Sequence, residues 1–262
     1  MPHLARIQIF PIKSLDGLSV SESLVLPSGA LEHDRRLVML DPMDHVLNAK
    51  RIARIHLLRA TFNLADNTVT LAAKGSHGTF RLAAPRTDLV TWLSEFFGVD
   101  LRLDENSAAG FPDDTENPGP TIISTATLET VAAWFPELTV DDIRRRFRAN
   151  LEIDGVEPFW EERLYAAPGQ GVPFQIGAVR LEGTNPCQRC VVPTRSPETG
   201  DRYPDFTKIF EERREQTFPA WANRVRFNHY YRLSVNTRLA PGGAGILRVG
   251  DQVQFPVPAN SD

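Results

Sequence analysis

Short runs rich in β-branched residues, with apolar and polar side chains alternating, fill the first third of the chain and constrain its fold most. Turn-forming residues follow these runs, for example Pro27-Ser28-Gly29 and Asp41-Pro42. Alternation with a period of two is typical of strands that bury one face. Strands this short and closely spaced form a sheet or a barrel. The predicted strands of this part are residues 4–12, 19–26, 36–40, 57–63, 68–72 and 79–82.

The rest of the chain adds helices to this β-rich pattern. Residues 104–120 are polar, acidic and rich in turn formers, which predicts a long surface loop and a domain boundary. The other predicted elements are helices at 88–97, 141–146 and 206–216, a strand at 121–124 leading into a helix, and two strands joined by a turn within 246–255. The predicted fold class is therefore mainly β with some helices, that is, α+β.

Charge and hydropathy exclude several classes of protein. The chain has 29 basic and 33 acidic residues, so it lacks the cationic field of a non-specific nucleic-acid binder. It has neither the roughly 18 consecutive apolar residues that span a bilayer nor a signal-peptide core. We therefore expect a cytoplasmic protein that binds neither nucleic acid nor membranes. Of the basic residues 25 are Arg, whose planar fork suits phosphate and carboxylate groups.

The two cysteines, Cys187 and Cys190, form a C-x-x-C motif. Such a pair can be half of a zinc site, a thioredoxin-like redox pair, a thiolate site for a soft metal, or two buried apolar side chains. Neither a second C-x-x-C nor the histidine spacing of a zinc site occurs, and residues 191–193 are strand-like rather than the start of a helix. Arg189, between the cysteines, favours a thiolate.

Two polar segments near the N-terminus are open to two interpretations. Lys13 and Ser14 follow a predicted strand and could hold an anionic group, or they could lie in a solvated loop. Asp34 and Arg35 could line a ligand site, or they could form a surface ion pair of little energetic value.

A third polar segment lies near the middle of the chain. Arg148 and Asn150 are predicted to lie on the same side of a strand, an arrangement that suits a polar ring around a ligand but also occurs by chance at strand edges. The preceding run of three arginines, residues 144–146, is predicted to be the solvated end of a helix. The common hydrolase and nucleotide-binding motifs are absent from the sequence.

These segments follow one another in a characteristic order. They are Phe10-Pro-Ile-Lys13-Ser14, Gly17, Gly29, His33-Asp34-Arg35, Arg146-Phe147-Arg148-Ala149-Asn150, Cys187-Gln-Arg189-Cys190, Pro197-Glu-Thr-Gly200 and Val249-Gly250-Asp251. In order and spacing they resemble the MOSC family, which includes molybdenum cofactor sulfurase C-terminal domains and the amidoxime-reducing component. The resemblance covers residues 4–256. It implies an N-terminal β-barrel-like domain, residues 1–105, packed on a MOSC β-barrel domain, residues 120–258.

The resemblance also implies a molybdenum–molybdopterin cofactor. By position, Cys190 matches the family's thiolate ligand to molybdenum and is the predicted catalytic residue. The residues that match family positions around the phosphate and the pterin are Lys13, Ser14, Arg35, Arg148, Asn150, Gln188 and Arg189. The sequence departs from the family pattern at Ala149, where Pro is common, and at Gln188, where Ser is common.

The function implied by the resemblance is reduction of small N-hydroxylated or N-oxygenated compounds. Some bacterial relatives carry a C-terminal iron–sulfur domain, which this sequence lacks, so we expect a separate ferredoxin- or flavin-type redox protein to supply the electrons. One alternative is a sulfur-carrier or cofactor-carrier protein that uses Cys190 without reductase turnover. Another is a non-catalytic β-barrel binding module in which the cysteine pair is inert.

Overall fold

The computed structural model describes residues 1–255 and is mainly β with some helices, as the sequence predicts. The strands are β1 (His3–Ile9), β2 (Leu18–Val20), β3 (Glu22–Val25), β4 (Leu37–Leu40), β5 (Arg59–Asn63), β6 (Thr68–Ala73), β7 (Ser76–Arg81), β8 (Arg102–Glu105), β9 (Ile122–Ser124), β10 (Leu151–Asp154), β11 (Val172–Ile176), β12 (Val179–Gln188), β13 (Arg232–Leu239), β14 (Gly245–Arg248) and β15 (Val253–Gln254). The α-helices are α1 (Thr87–Phe97), α2 (Thr125–Ala132), α3 (Val140–Phe147) and α4 (Phe206–Gln216). Short 3-10 helices cover Ala53–Leu57, Trp160–Arg163, Val192–Thr194 and Arg224–Arg226.

The largest sheet joins the beginning of the chain to its second half. Its strand order is β15-β11-β12-β13-β9-β10-β1-β2, and β1 lies antiparallel to β10, with Ile7 opposite Leu151. The pair β9–β10 is parallel, whereas the other neighbours are antiparallel. The first strand of the chain is therefore an inner strand of a sheet built mostly from residues beyond 121.

Three smaller sheets complete the fold. Strand β3 pairs with β14, so the two ends of the chain meet a second time. The other two sheets, β4–β8 and β5–β6–β7, use only strands from the first 105 residues. The predicted strand–turn–strand at the C-terminal end is present as β14 and β15, but each pairs with a distant strand and not with the other.

Three apolar cores support these sheets. The core on the large sheet combines early residues such as Leu4 with late ones such as Val235. A second core, which includes Val69, lies on the two smaller sheets of the first half and on α1. The third packs aromatic side chains such as Phe147 and Phe206 between α2, α3 and α4. Burying this apolar surface is the main stabilising contribution to the fold.

The predictions for residues 19–26 and 191–193 were wrong. The run at 19–26 is two strands, since Ser21 interrupts it and β2 and β3 pair with different partners. Residues 191–193 are not a strand, because the chain turns there into the 3-10 helix Val192–Thr194, with Pro193 inside it. The predicted loop at 104–120 begins after β8, and residues 106–121 form neither helix nor strand. The domain limits 1–105 and 120–258 stay predictions, and residues 256–258 lie outside the described part.

Candidate functional site

A single cleft of about 1080 Å³ brings together all the residues that the sequence assigned to a site. Its lining includes Lys13, Ser14, Arg35, Arg148, Asn150, Gln188, Arg189 and Cys190. These residues come from four segments that are far apart in the sequence, and the pairing of β1 with β10 and of β12 with β13 draws the segments together. The cleft is therefore the candidate site, and what each residue binds there stays a prediction.

Lys13 contacts the loop between β8 and β9. Its Nζ donates to the carbonyl oxygens of Phe111 at 2.8 Å and Pro112 at 3.3 Å, and it lies 3.0 Å from Asp113 Oδ1. Desolvation raises the pKa of Asp113, but the positive charges of Lys13, Arg35 and Lys50 together outweigh it and hold this pKa at about 2. The interpretation of Lys13 as a solvated loop residue is thus wrong, because this ammonium tethers an acidic loop over the cleft.

Asp34 and Arg35 form a largely buried ion pair at the floor of the cleft. Their side chains are 10% and 16% exposed, and Asp34 Oδ1 also accepts a hydrogen bond from the Phe10 backbone N–H at 2.8 Å. The surface ion pair considered from the sequence is therefore wrong. Ser14 and Arg35 both have left-handed backbone, with φ of 77° and 49°, a conformation that costs non-glycine residues energy and is common at binding sites.

Arg148 does not lie on a strand, which corrects the sequence prediction. It is the residue that ends α3, with a left-handed φ of 54°, so its side chain and that of Asn150 are not related by strand alternation. The Arg148 guanidinium carbon lies 4.0 Å from the centre of the Phe10 ring, and Nη2 donates to the Leu15 carbonyl at 2.7 Å. Arg148 is therefore held in the cleft by a cation–π contact and a main-chain hydrogen bond.

Asn150 fastens β1 to the chain just before β9. Its Nδ2 donates to the Gln8 carbonyl at 3.0 Å, and its Oδ1 accepts from Thr121 N at 3.3 Å and lies 3.4 Å from Arg35 Nη1. The side chain is almost fully buried. Asn150 thus positions Arg35 and the cleft wall in addition to lining the cleft.

The arginine run before Arg148 is not solvated throughout, contrary to the prediction. Arg146 is 5% exposed, and its Nη1 donates to the carbonyl oxygens of Pro193 at 2.9 Å and Arg195 at 2.6 Å. Arg144 pairs with the buried Glu152. The Arg146 contacts attach α3 to the segment that follows the cysteines, and the Arg144 ion pair attaches it to β10.

The C-x-x-C segment ends β12 and borders the cleft. Cys187 and Cys190 are both free thiols of intermediate exposure, and Gln188 between them is exposed. Arg189 Nη1 donates to Cys187 Sγ at 3.2 Å, and Nη2 donates to the Phe147 carbonyl at 2.6 Å. The sulfur that Arg189 contacts is thus that of Cys187, whereas its position between the two cysteines did not indicate which thiol it meets.

Positive charge around the cleft exceeds what the protein's own acceptors satisfy. Among the arginines that line the cleft, the buried N–H groups without a hydrogen-bond partner in residues 1–255 are Arg59 Nε and Nη1, Arg146 Nε, Arg189 Nε, Arg195 Nε and Arg232 Nε. Burial and the neighbouring Arg35 lower the pKa of Arg148 to about 10. Unpartnered cationic donors of this kind suit a ligand with several negative oxygens, such as a phosphate. The donors beside the cysteines, on Arg189 and on Arg232 opposite Gln188, therefore fit the anionic pterin cofactor that the resemblance implies.

Three further cleft residues escaped the sequence analysis. His56 lies in the 3-10 helix Ala53–Leu57, Arg59 begins β5, and Arg195 follows the 3-10 helix after the cysteines. In the sequence each is a single polar residue without a recognisable motif. They are identified as candidate site residues only by their burial and by their proximity to the other cleft residues in the structure.

Two features are absent from residues 1–255. No group of three or more His, Cys, Asp or Glu side chains is placed to hold a metal ion by itself. Nor does any described helix combine the length and hydropathy needed to cross a bilayer.

Comparison with known proteins finds two family models that match the chain. The model described as MOSC domain matches residues 121–254. The model described as MOSC N-terminal beta barrel domain matches residues 1–107, in agreement with the barrel-like N-terminal part implied by the sequence.

Curated proteins similar to this chain include several named molybdenum cofactor sulfurase. That of Drosophila mojavensis is 25% identical over 234 residues, which are 78% of this chain and 29% of the relative. That of Homo sapiens is 24% identical over 302 residues, covering 96% of this chain and 32% of the relative. That of Caenorhabditis briggsae is 21% identical over 257 residues, covering 87% and 34%. The chain thus spans about a third of the length of the relatives it matches.

Proposed function

Because the chain belongs to the MOSC family, we propose that it is an oxidoreductase that binds molybdenum–molybdopterin in the cleft and reduces N-hydroxylated compounds. One observation carries the proposal: buried, unpartnered arginine donors and the Cys190 thiol line the same cleft. Neutral ligands leave such donors uncompensated, whereas an anionic cofactor satisfies them. A thiol beside these cations suits a metal that prefers sulfur ligands.

The proposal gives each cleft residue a task. When bound, the cofactor supplies two-electron oxygen-atom chemistry. Arg35 and Arg148 direct guanidinium donors at its phosphate and pterin, with Lys13, Ser14, Asn150, Gln188 and Arg189 as the further predicted contacts. Cys190 supplies a thiolate to the metal. Phe10, under the Arg148 guanidinium, and the Leu15 carbonyl hold that guanidinium in place before the cofactor arrives.

The overall reaction needs a source of electrons. Reduction of an N–OH group to N–H consumes two electrons and two protons and releases water. We propose that a separate ferredoxin- or flavin-type protein supplies the electrons.

A second candidate function is sulfur or cofactor carriage without turnover. The relatives are named molybdenum cofactor sulfurase, and both thiols of this chain border the cleft. In this case Cys190 carries a persulfide or holds the cofactor for transfer to another protein.

The test is elemental and pterin analysis of protein purified from a host that makes molybdopterin. We expect near-stoichiometric molybdenum in the wild type, its loss or altered coordination in Cys190→Ser, and wild-type content in the matched control Cys187→Ser. Absence of molybdenum from the wild type would contradict the proposal. A labile added sulfur atom on Cys190 in the mass spectrum would then favour the carrier.

A substrate screen tests the reaction itself. The molybdenum-loaded protein, with an artificial electron donor, is expected to reduce amidoximes, hydroxylamines or N-hydroxylated bases. If it retains molybdenum but reduces none of these classes, the reductase proposal fails while cofactor binding stands.

A further inference from the structure

His56, Arg59 and Arg195 also line the cleft, and none of them is among the residues proposed to bind the cofactor. Arg59 Nη2 donates to the His56 carbonyl at 2.7 Å, which fixes the side chain at the cleft wall. Its Nη1 lies 3.5 Å from Asp16 Oδ1, and Nε and Nη1 form no hydrogen bond within the described chain. The Arg59 guanidinium therefore keeps buried donors for a ligand.

Arg195 comes from another segment, just after the 3-10 helix Val192–Thr194, and lines the cleft near His56. Its Nη1 donates to the Gly200 carbonyl at 3.1 Å, and its Nε is buried without a partner among residues 1–255. Gly200 packs against the turn that carries His56, since a Cβ atom placed on Gly200 would lie 3.4 Å from His56 Cβ. Both guanidinium groups are thus fastened by main-chain carbonyls next to His56.

The surroundings of His56 show that several positive charges lie close together in this part of the cleft. Its side chain is 8% exposed, and Nε2 is buried with no partner in the described residues. Burial, followed by Arg195 and other nearby arginines, lowers the pKa of His56 to about 4, so the ring is neutral at physiological pH. Asp16, beside Arg59, is the carboxylate that faces this cluster and offsets part of its charge.

We propose that Arg59 and Arg195, with the adjoining His56, form a subsite that binds the anionic group, a carboxylate or a phosphate, of the compound reduced in the cleft. That the bound compound is reduced rests on the proposed function, whereas the test of anion binding does not require any turnover. Guanidinium forks match carboxylate and phosphate oxygens, and buried donors gain most from a charged acceptor. The subsite would thus select acidic N-hydroxylated substrates over neutral ones.

The same chemistry could serve a phosphate of the cofactor. The two sources are separated by measuring cofactor content and substrate preference on the same variants. If Arg59 and Arg195 hold a cofactor phosphate, their loss lowers the pterin and molybdenum content. If they hold the substrate anion, the pterin and molybdenum content is unchanged and the substrate preference changes.

The probes are benzamidoxime and 4-carboxybenzamidoxime, which share the N–OH group and differ in the carboxylate. Their dissociation constants are measured by calorimetry on the purified holoprotein, with KM and kcat where turnover occurs. The variants are Arg59→Gln and Arg195→Gln, with Arg195→Lys to keep the charge. Arg51→Gln is the matched control, since it removes one positive charge from an exposed side chain outside the cleft lining.

The wild type is expected to bind 4-carboxybenzamidoxime about tenfold more tightly than benzamidoxime, the effect of one charge-assisted hydrogen-bonded contact. Each glutamine variant is expected to lose most of this preference through weaker binding of the carboxylate compound, with benzamidoxime binding, kcat and molybdenum content unchanged. Arg195→Lys keeps part of the preference, and Arg51→Gln keeps all of it.

Equal binding of the two probes by the wild type would overturn the subsite. So would a preference that survives both glutamine variants, or a fall in molybdenum and pterin content with the preference unchanged. If neither probe is reduced but the preference depends on both arginines, the subsite stands and the reductase function fails. Melting temperatures verify that each variant is folded. If a glutamine variant is unfolded, the test is made with Arg195→Lys instead.

Discussion

Glu161 is a buried carboxylate outside the cleft whose protonation state depends on the fold. Its side chain is 1% exposed, Oε2 accepts from Thr127 Oγ1 at 3.1 Å, and Oε1 has no partner within residues 1–255. Burial raises the pKa of Glu161 to about 7, and the neighbouring Glu162 acts in the same direction. The ionised form is therefore stabilised less in the folded than in the unfolded chain.

The raised pKa of Glu161 predicts how stability varies with pH. Unfolding lowers this pKa to its ordinary value of 4.5, so the free energy of unfolding is expected to fall as pH rises from 4.5 through 7. The full effect is on the order of 3 kcal/mol. Glu161→Gln should flatten this part of the curve and raise stability at pH 8, as measured by urea unfolding at several pH values. The exposed control Glu129→Gln should keep the wild-type slope, and an unchanged slope in Glu161→Gln would contradict the assignment.

At the scale of elements, α3 determines where the cleft arginines lie. The helix begins with a capping box, in which Thr139 Oγ1 accepts from Asp142 N at 3.1 Å and Thr139 N donates to Asp142 Oδ2 at 2.9 Å. It ends at Arg148, whose left-handed backbone turns the chain toward Asn150. The capping box therefore stabilises the helix whose C-terminal end places Arg148 in the cleft.

Removing the cap tests this support. Thr139→Ala is expected to lower the free energy of unfolding by about 1 kcal/mol, because an N–H at the start of α3 loses its acceptor. Thr139→Ser keeps the hydroxyl and should restore most of the stability in the same thermal or urea measurement. If serine is as destabilising as alanine, methyl packing and not the cap is responsible.

At the scale of the whole molecule, the two matched segments are joined through shared sheets. Strand β1 lies between β2 and β10, and β3 pairs with β14. Leu18 packs against both the core of the large sheet and the core of the first half. Unfolding either part therefore exposes apolar surface of the other, which favours one cooperative transition.

Tryptophan fluorescence can check this cooperativity. Trp92 packs against the core of the first half, and Trp160 is buried in the core of the large sheet. Variants that retain only one of the four tryptophans of the chain, either Trp92 or Trp160, are expected to give the same urea midpoint and slope. Separate midpoints would mean that residues 12–103 unfold as an independent unit.

Much of the fold could be predicted from local sequence patterns. The strands at 68–72 and the helices at 88–97 and 206–216 were found nearly at their observed bounds, since hydrophobic period and end residues are local properties. The set of cleft residues, including Cys190 and Arg148, was predicted from the order of motifs. Sequence order alone could not assign strand partners, so it missed that β1 joins the large sheet.

The sequence by itself determined the β-rich composition, the main helices, the family and the eight predicted site residues that meet in the cleft. Only the tertiary structure decided that Arg148 ends a helix, that Lys13 holds the Asp113 loop, and that Arg59 and Arg195 flank His56. The physical reason is that burial, left-handed backbone and unpartnered donors arise from contacts between segments far apart in the chain. A local pattern contains no information on which distant carbonyl or charge a side chain will meet.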